Sequence, residues 1–193
     1  DILGPENVLL LNLPSRFNSA ATRNSAQQLA QALGANYAVM PISESYELTV
    51  KQLEETPITH LADGSSFNLQ LSGLIKENIQ ARDRGARVIA AASAAFGGAF
   101  SCNSNKAELA IGYATFYGDI CGAMAMIGDL WKHQVYALGR YLNEEVYKRK
   151  VIPEAIFTIR PSAELSDAQT VGNGGDPLVY AYHDYLLRAF IEN

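Results

Sequence analysis

The sequence predicts an α/β fold in which helices cover both faces of a parallel sheet. Residues 8–13 form a nearly continuous apolar run, which is the pattern of a strand buried on both faces. A helical pattern follows to about Leu33, Gly34 ends it, and residues 37–42 are predicted as the next strand. This strand–helix–strand order favours parallel pairing of the two strands.

Composition limits the class of protein. With 193 residues and 48% hydrophobic content, the chain is most simply one domain over residues 1–193. The net charge of -5 argues against a general binder of nucleic acid or anionic membranes, since such proteins carry basic patches. No apolar run is long enough for a transmembrane helix. Cys102 and Cys121 are predicted to be buried free thiols in a reducing cytoplasm. Because the chain begins at Asp1, we expect it to be part of a longer protein.

The same periodicities predict the other elements. Residues 54–70 are polar, contain Pro57 and Gly64, and are predicted to be a mobile loop that could act as a lid. The further elements are a short helix over 44–53, a long helix over 72–95, strands over 99–102 and 114–117, a helix from 132, a strand or turn after 153, a loop over 166–177 and an amphipathic helix over 178–191.

Polar side chains follow the predicted strand over 99–102. Lys106 and Glu108 come soon after it, and Asp119 follows the next predicted strand. Ligands of open α/β sheets bind beyond the carboxyl ends of strands, so these residues predict a cleft for an anionic ligand, with or without a metal. The alternative is that Ser104 or Asn105 merely caps a helix. The pattern leaves both interpretations open.

Three further polar residues occupy unusual helical positions. Asn78 and Arg82, one turn apart, interrupt an otherwise apolar seam, which indicates either ligand contacts or a solvated edge with an internal ion pair. Lys132 at a helix start opposes the helix dipole, which favours a phosphate contact over an ordinary solvated lysine. Glu108 and Asp119 could share a magnesium ion, or one could hold the metal and the other a ribose or amide.

Several short motifs occur in order along nearly the whole chain. They are Leu13-Pro14-Ser15-Arg16-Phe17, residues 77–84, Asn105-Lys106-Ala107-Glu108, Gly112-Tyr113, Tyr117-Gly118-Asp119, Asp129-Leu130-Trp131-Lys132, residues 136–141, Pro161-Ser162-Ala163-Glu164-Leu165 and Gly175-Asp176-Pro177-Leu178-Val179-Tyr180. This ordered set resembles the motifs of the NAD synthetase family. The surroundings of Lys132 and Asp176 resemble those of its glutamine-using members.

The resemblance implies a Rossmann-like fold of the adenine nucleotide alpha hydrolase type. It also implies a reaction: family members adenylate the nicotinate carboxylate of deamido-NAD with ATP and magnesium, and ammonia then displaces AMP to give NAD. Glutamine-using members carry an amidase domain that makes the ammonia, and family members pair as homodimers. The chain is therefore expected to be a partial synthetase domain with deamido-NAD, ATP and ammonia from glutamine as substrates.

Each motif that matches the family implies particular site residues. None of these residues is assigned a catalytic role. Glu108 is implied both as a deamido-NAD contact and as the metal ligand. The implied ATP contacts are Arg16, Asn103, Lys132 and Ser162, and the implied deamido-NAD contacts are Asn78, Arg82, Glu108 and Asp119.

The chain departs from the family in three ways. The phosphate loop Ser-Gly-Gly-x-Asp-Ser does not occur in the 193 residues, and since the family's first strand is central, the sheet is expected to be incomplete there. Asn103 stands where threonine is common, although an amide can still donate and accept hydrogen bonds. The family's basic tail is also absent from these residues.

We therefore expect no turnover from this piece alone. Two rival classes remain: a related ATP-pyrophosphatase amidotransferase, resembling GMP or asparagine synthetases, and a non-catalytic interaction module.

Overall fold

The computed structural model describes residues 2–192, except for the side chain of Val171. The strands are β1 (Leu9–Asn12), β2 (Asn36–Val39), β3 (Ile58–Thr59), β4 (Ser66–Phe67), β5 (Ser101–Cys102) and β6 (Met124–Ala125). The helices are α1 (Ala20–Leu33), α2 (Ser43–Glu55), α3 (Gly73–Arg82), α4 (Ala90–Phe96), α5 (Lys106–Ile111), α6 (Lys132–Tyr141), α7 (Glu154–Thr158) and α8 (Tyr180–Ile191).

The predicted strand–helix–strand unit at the start of the chain is confirmed. β1 pairs with β2 in parallel, with Leu9 opposite Asn36, and α1 connects the two strands. The Ser19 side chain accepts a hydrogen bond from the N–H of Thr22 and so caps α1. Gly34 ends the helix at φ 70°, in the left-handed region where glycine meets no steric penalty.

A second parallel pair, β5 with β6, lies apart from the first. Within residues 2–192, no hydrogen-bonded strand joins β1 to β5. A cavity of about 870 Å³ is lined by α1 on one side and by β5 on the other. The solvent-accessible surface is 11825 Å², whereas a compact protein of this mass exposes roughly 9,000 Å². The parallel α/β prediction is confirmed, and the gap between the pairs agrees with the expected incomplete sheet.

The predicted long helix over 72–95 is confirmed as one continuous helical segment. It begins as α3, passes through a π-helical stretch at Asp83–Ile89 and ends as α4. A Cβ atom on Gly85 would overlap the carbonyl oxygen of Gly118, and one on Gly118 would lie 2.9 Å from Ala81. The two glycines therefore let the helix backbone contact the loop that carries Asp119.

Two charged side chains, the half-buried Arg84 and the buried Glu164, position the turn before α1. The Arg84 guanidinium donates to the Leu13 carbonyl at 2.9 Å. The Glu164 carboxylate accepts the Ser19 N–H at 3.0 Å and the Thr22 hydroxyl at 2.9 Å. Burial lowers the pKa of Arg84, while the charges of Asp83 and Glu164 act in the opposite direction. The start of α1 is thus fixed by residues far away in sequence.

Three predicted elements are corrected by the structure. Residues 114–117 form a turn and not a strand, because the Asp119 carboxylate accepts the Thr115 N–H at 2.6 Å and closes the loop. The segment after Pro153 is the helix α7. The polar stretch over 54–70 is not wholly a loop, since it contains the antiparallel hairpin of β3 and β4.

Both cysteines are free thiols, as predicted; Cys102 is buried, whereas Cys121, which was predicted to be buried, is only half-buried. Burial raises the pKa of Cys121, and the neighbouring Cys102 and Asp119 act in the same direction. Among residues 2–192, no helix combines the length and the apolar character needed to cross a bilayer.

We expect Gly85→Ala to lower the free energy of unfolding by about 1–3 kcal/mol, because the added methyl group forces the helix away from Gly118. Urea denaturation measures this change. Gly98→Ala is the matched control, since a Cβ atom there meets no atom within 4 Å. Equal stabilities for the two variants would show that the close contact does not hold the loop.

Candidate functional site

One cavity brings together five of the eight predicted site residues. Its lining includes Asn103, Glu108, Asp119, Lys132 and Ser162. Asn103 follows β5 directly, so the cavity lies at the carboxyl end of a parallel strand, where ligands of α/β sheets bind. Arg16, Asn78 and Arg82 are absent from the lining.

The two carboxylate oxygens of Glu108 make different contacts. Asn105, which is 1% exposed, accepts hydrogen bonds from the N–H groups of Ala107 and Glu108, and Glu108 Oε2 accepts the Asn105 N–H at 3.0 Å. This is a capping box at the start of α5. Glu108 Oε1 lies 3.6 Å from Lys132 Nζ and 3.0 Å from the Tyr180 hydroxyl. The capping interpretation is therefore confirmed for Asn105. Glu108 lines the cavity, and its contact with a ligand stays a prediction.

Lys132 begins α6 with its ammonium group in the cavity. Nζ lies 4.9 Å from the centre of the Tyr180 ring and 5.9 Å from that of Tyr136, in addition to its contact with Glu108. Ring faces and a carboxylate stabilise a cation that the positive end of the helix dipole opposes. Its N–H donors make no hydrogen bond to any described residue, which leaves them available to an anionic ligand.

A pair of phenols links Glu108 to Asp176, and the sequence analysis assigned neither phenol to the site. The Tyr180 hydroxyl lies 3.0 Å from Glu108 Oε1 and 3.1 Å from Asp176 Oδ2, and the Tyr113 hydroxyl lies 3.1 Å from Asp176 Oδ1. Burial, together with the charges of Glu108 and Asp176, raises the pKa of both phenols, so each keeps its proton. Both phenols lie in motifs that resemble the family, Tyr113 in Gly112-Tyr113 and Tyr180 at the end of the 175–180 motif, but these motifs implied no role for either side chain.

Three of the residues predicted to contact deamido-NAD, Asn78, Arg82 and Asp119, form hydrogen bonds with residues of the 115–119 loop. The Thr115 hydroxyl donates to Asn78 Oδ1 at 2.6 Å, and its N–H donates to Asp119. The exposed Arg82 donates to the Phe116 carbonyl at 3.3 Å. The helix and the loop are thus fixed relative to each other next to the cavity. Asp119 takes part in this network and also lines the cavity.

The remaining predicted residues differ in their surroundings. Arg16 is exposed and stacks over Phe17 at 4.8 Å, outside the cavity lining. Asn103 accepts a hydrogen bond from Ser101 at 2.8 Å. The Ser162 hydroxyl donates to the Gln169 carbonyl. Asn103 and Ser162 therefore line the cavity with part of their hydrogen-bonding capacity already used.

The described residues contain no cluster of three or more His, Cys, Asp or Glu side chains suited to a metal ion. Three of the four lone pairs of Glu108 face Asn105, Tyr180 and Lys132. A single carboxylate fits magnesium only where substrate phosphates and water complete the coordination, which is the usual arrangement for this ion.

A second hollow of about 420 Å³ lies on another part of the surface. Arg140, Lys148, Arg149 and Lys150 line it together with Glu144 and Glu154. Arg140 pairs with Glu154 at 3.4 Å, and Arg149 donates to the Ala32 carbonyl. Its basic groups are therefore partly engaged. Of the described residues that line it, none is a predicted site residue, and only Phe157 also lines the first cavity.

The fold and the cavity together define an α/β protein with a cleft at the carboxyl end of a parallel strand, and Lys132 and Glu108 are among the residues that line it. The family model described as NAD synthase matches residues 1–193. The chain belongs to the NAD synthase family.

Curated relatives match over the whole chain. The glutamine-dependent NAD(+) synthetase of Xanthomonas campestris pv. campestris (strain 8004) is 37% identical over 192 residues, which are 100% of this chain and 32% of that protein. The protein of the same name from Aquifex aeolicus (strain VF5) is 38% identical over 192 residues, again 100% of this chain and 31% of the relative. The chain thus spans about a third of the length of these relatives.

Two solved structures support the fold. The NMN synthetase of Francisella tularensis has a TM-score of 0.73 and 25% identity, and the match covers 94% of this chain and 66% of that one. The glutamine-dependent NAD+ synthetase of Acinetobacter baumannii, solved in complex with ADP, has a TM-score of 0.66 and 25% identity, with 92% of this chain and 34% of that one covered. These similarities confirm the predicted fold type.

We expect Asn105→Ala to lower the free energy of unfolding by about 1 kcal/mol, because the first turn of α5 loses its cap. Thermal denaturation measures the loss. Asn24→Ala is the matched control, since Asn24 is exposed on α1. If the two variants melt together, the cap does not stabilise the helix that carries Glu108.

Proposed function

We propose that this chain supplies the synthetase part of a glutamine-dependent NAD synthetase. In this reaction, the nicotinate carboxylate of deamido-NAD is adenylated by ATP with release of pyrophosphate, and ammonia then displaces AMP to form NAD. The ammonia is derived from glutamine in an amidase domain of the full-length protein.

The observation that carries the proposal is the shared cavity. Glu108, Asp119 and Lys132 come from three different parts of the chain, yet all three line it. Membership of the NAD synthase family and the ADP bound in one similar structure support the choice of ATP as the ligand. A reaction in which ATP activates a carboxyl group needs such side chains in one cavity, because both substrates are anionic and must lie side by side.

Each residue has a distinct part in the proposed chemistry. Lys132 neutralises charge on the ATP phosphates, since its donors are unused and it faces the cavity. Glu108 would be the protein ligand for a magnesium ion, which would supply charge neutralisation at the phosphates when bound. Asn103 and Ser162 contact the nucleotide from the cavity wall.

The dinucleotide contacts lie next to this wall. Asn78 and Arg82 hold deamido-NAD from the helix side, and Asp119 contacts it from the 115–119 loop. The hydrogen bonds of Thr115 to Asn78 and Asp119 favour this arrangement, because they fix the two elements relative to each other. Binding there would place the nicotinate carboxylate beside the ATP phosphates, and catalysis would come mainly from this positioning. Arg16, which stacks outside the cavity, would have to turn towards ATP on binding.

Three features of the assembly are part of the proposal. The protein acts as a homodimer, in line with the resemblance of its motifs. It acts in the cytoplasm, which its two free thiols favour. Turnover requires the Ser-Gly-Gly-x-Asp-Ser phosphate loop, which the 193 residues do not contain.

We expect the chain to bind deamido-NAD and Arg82→Ala to weaken that binding about tenfold, because a charge-assisted contact to the dinucleotide is lost. Isothermal titration calorimetry measures the affinity. Arg188→Ala is the control, since Arg188 is an exposed arginine of α8 paired with Glu192. Nicotinate mononucleotide is titrated in parallel, because one similar structure is an NMN synthetase.

Turnover completes this test. With ATP, magnesium, deamido-NAD and ammonia, the chain alone is expected to form no NAD, and co-expression with a segment carrying the phosphate loop is expected to restore formation. Tighter binding of nicotinate mononucleotide than of deamido-NAD would contradict the dinucleotide assignment. Failure to bind either ligand would contradict the proposed function.

A further inference from the structure

Asn173 and Gly174 form the one Asn-Gly pair in the sequence of 193 residues. Both residues are exposed. A Cβ atom added at Gly174 would meet no atom within 4 Å, so the space around the backbone that follows Asn173 is open. The proposed function uses neither residue.

Few contacts hold this pair in place. Asn173 ends a single 3₁₀ turn, Val171–Asn173, and the hydrogen-bond geometry of such a turn is poorer than that of an α-helix. The one hydrogen bond that its side chain makes to a described residue runs from Nδ2 to the Asp167 carbonyl at 2.9 Å. Its N–H donates to the Thr170 carbonyl at 3.0 Å. Opening of this turn costs little free energy, because it exposes no buried apolar side chain of the pair.

The backbone at Gly174 suits an attack on the neighbouring side chain. The carbon of the Asn173 amide group, Cγ, is electrophilic, and the next backbone nitrogen can close a five-membered ring onto it. A Cβ atom on the following residue would hinder this approach, and Gly174 has none. Its φ of 111° also lies in a region that glycine adopts without steric penalty.

We propose that Asn173 is a site of spontaneous deamidation. The Gly174 nitrogen loses its proton and bonds to Asn173 Cγ, the Cγ–Nδ2 bond breaks, and Nδ2 leaves with that proton as ammonia. The product is a cyclic succinimide. Water then adds to one of its two carbonyl carbons and breaks the bond from that carbon to nitrogen. Addition at Cγ gives aspartate, and addition at the main-chain carbonyl carbon gives isoaspartate.

Either product changes the surroundings of this turn. The amide of Asn173 donates to the Asp167 carbonyl, whereas a carboxylate only accepts, so the hydrogen bond is lost and a negative charge faces a carbonyl oxygen. Isoaspartate also lengthens the main chain by one methylene group before Gly175. A Cβ atom on Gly175 would lie 2.5 Å from the Pro161 carbonyl oxygen, so that position has no room to adjust. Deamidation therefore alters both the charge and the packing of the segment.

The test is peptide mapping by mass spectrometry after incubation of the 193-residue chain at mildly alkaline pH in oxygen-18 water. We expect Asn173 to be converted to aspartate and isoaspartate, with one labelled oxygen in each product molecule. Asn24 is the internal control, because it is exposed and followed by a small residue but lies within α1. Asn173 is expected to react at least about tenfold faster than Asn24, since a helix interior opens less often than a single turn.

The same incubation in guanidinium chloride separates the folded structure from the local sequence. Unfolding is expected to accelerate the reaction of Asn24 and to change that of Asn173 by less than about threefold, because the turn gives Asn173 little protection. The variant Asn173→Gln keeps a side-chain amide, but its attack would need a six-membered ring, so we expect no product at that position.

Two results would overturn the proposal. One is an Asn173 that reacts as slowly as Asn24 in the folded chain, whether or not denaturant accelerates it. The other is a product at Asn173 without the oxygen-18 label, since hydrolysis of a succinimide must take its oxygen from water. None of these readouts involves a ligand, so the result is independent of the proposed function.

Discussion

The site depends on the carboxylate of Glu108, whose two oxygens make different contacts. One oxygen completes the cap of α5 with Asn105, and the other faces Lys132 and Tyr180 across the cavity. A helix of six residues has little intrinsic stability, so its cap and its packing against α8 hold it in place. The group that orients the helix is therefore also the group that the cavity presents to a ligand.

Close backbone packing positions the 115–119 loop, which carries Asp119, at the same cavity as Glu108. Gly85 and Gly118 let the π-helical stretch contact the 115–119 loop, and Arg84, from the same stretch, fixes the turn before α1. The cavity between the two parallel strand pairs is open because no described strand fills the space between β1 and β5. Side chains from distant segments thus reach one cavity although the sheet is discontinuous.

Local sequence patterns predicted the helices and strands better than they predicted the contacts between distant residues. Apolar periodicity and terminal glycines identified α1, β1 and the long helix, because these signals lie within one element. The 114–117 segment was wrongly predicted as a strand, since its turn depends on a hydrogen bond from Thr115 to Asp119. Tyr180 and Asp176 escaped assignment because their link to Glu108 spans up to 72 residues, and an aromatic pattern in α8 is equally typical of a core. Only the family's motifs identified Ser162, whereas the position of Lys132 at a helix start had already favoured a phosphate contact.

The most direct measurement of the central claim is a nitrogen-15 NMR titration of the 193-residue chain with magnesium–ATP. If Glu108, Asp119 and Lys132 form one nucleotide site, the largest amide shifts fall at these residues and at Asn103 and Ser162 along the same cavity wall. Shifts concentrated instead in the basic hollow at Arg140–Lys150, or spread evenly over the surface, would contradict the account.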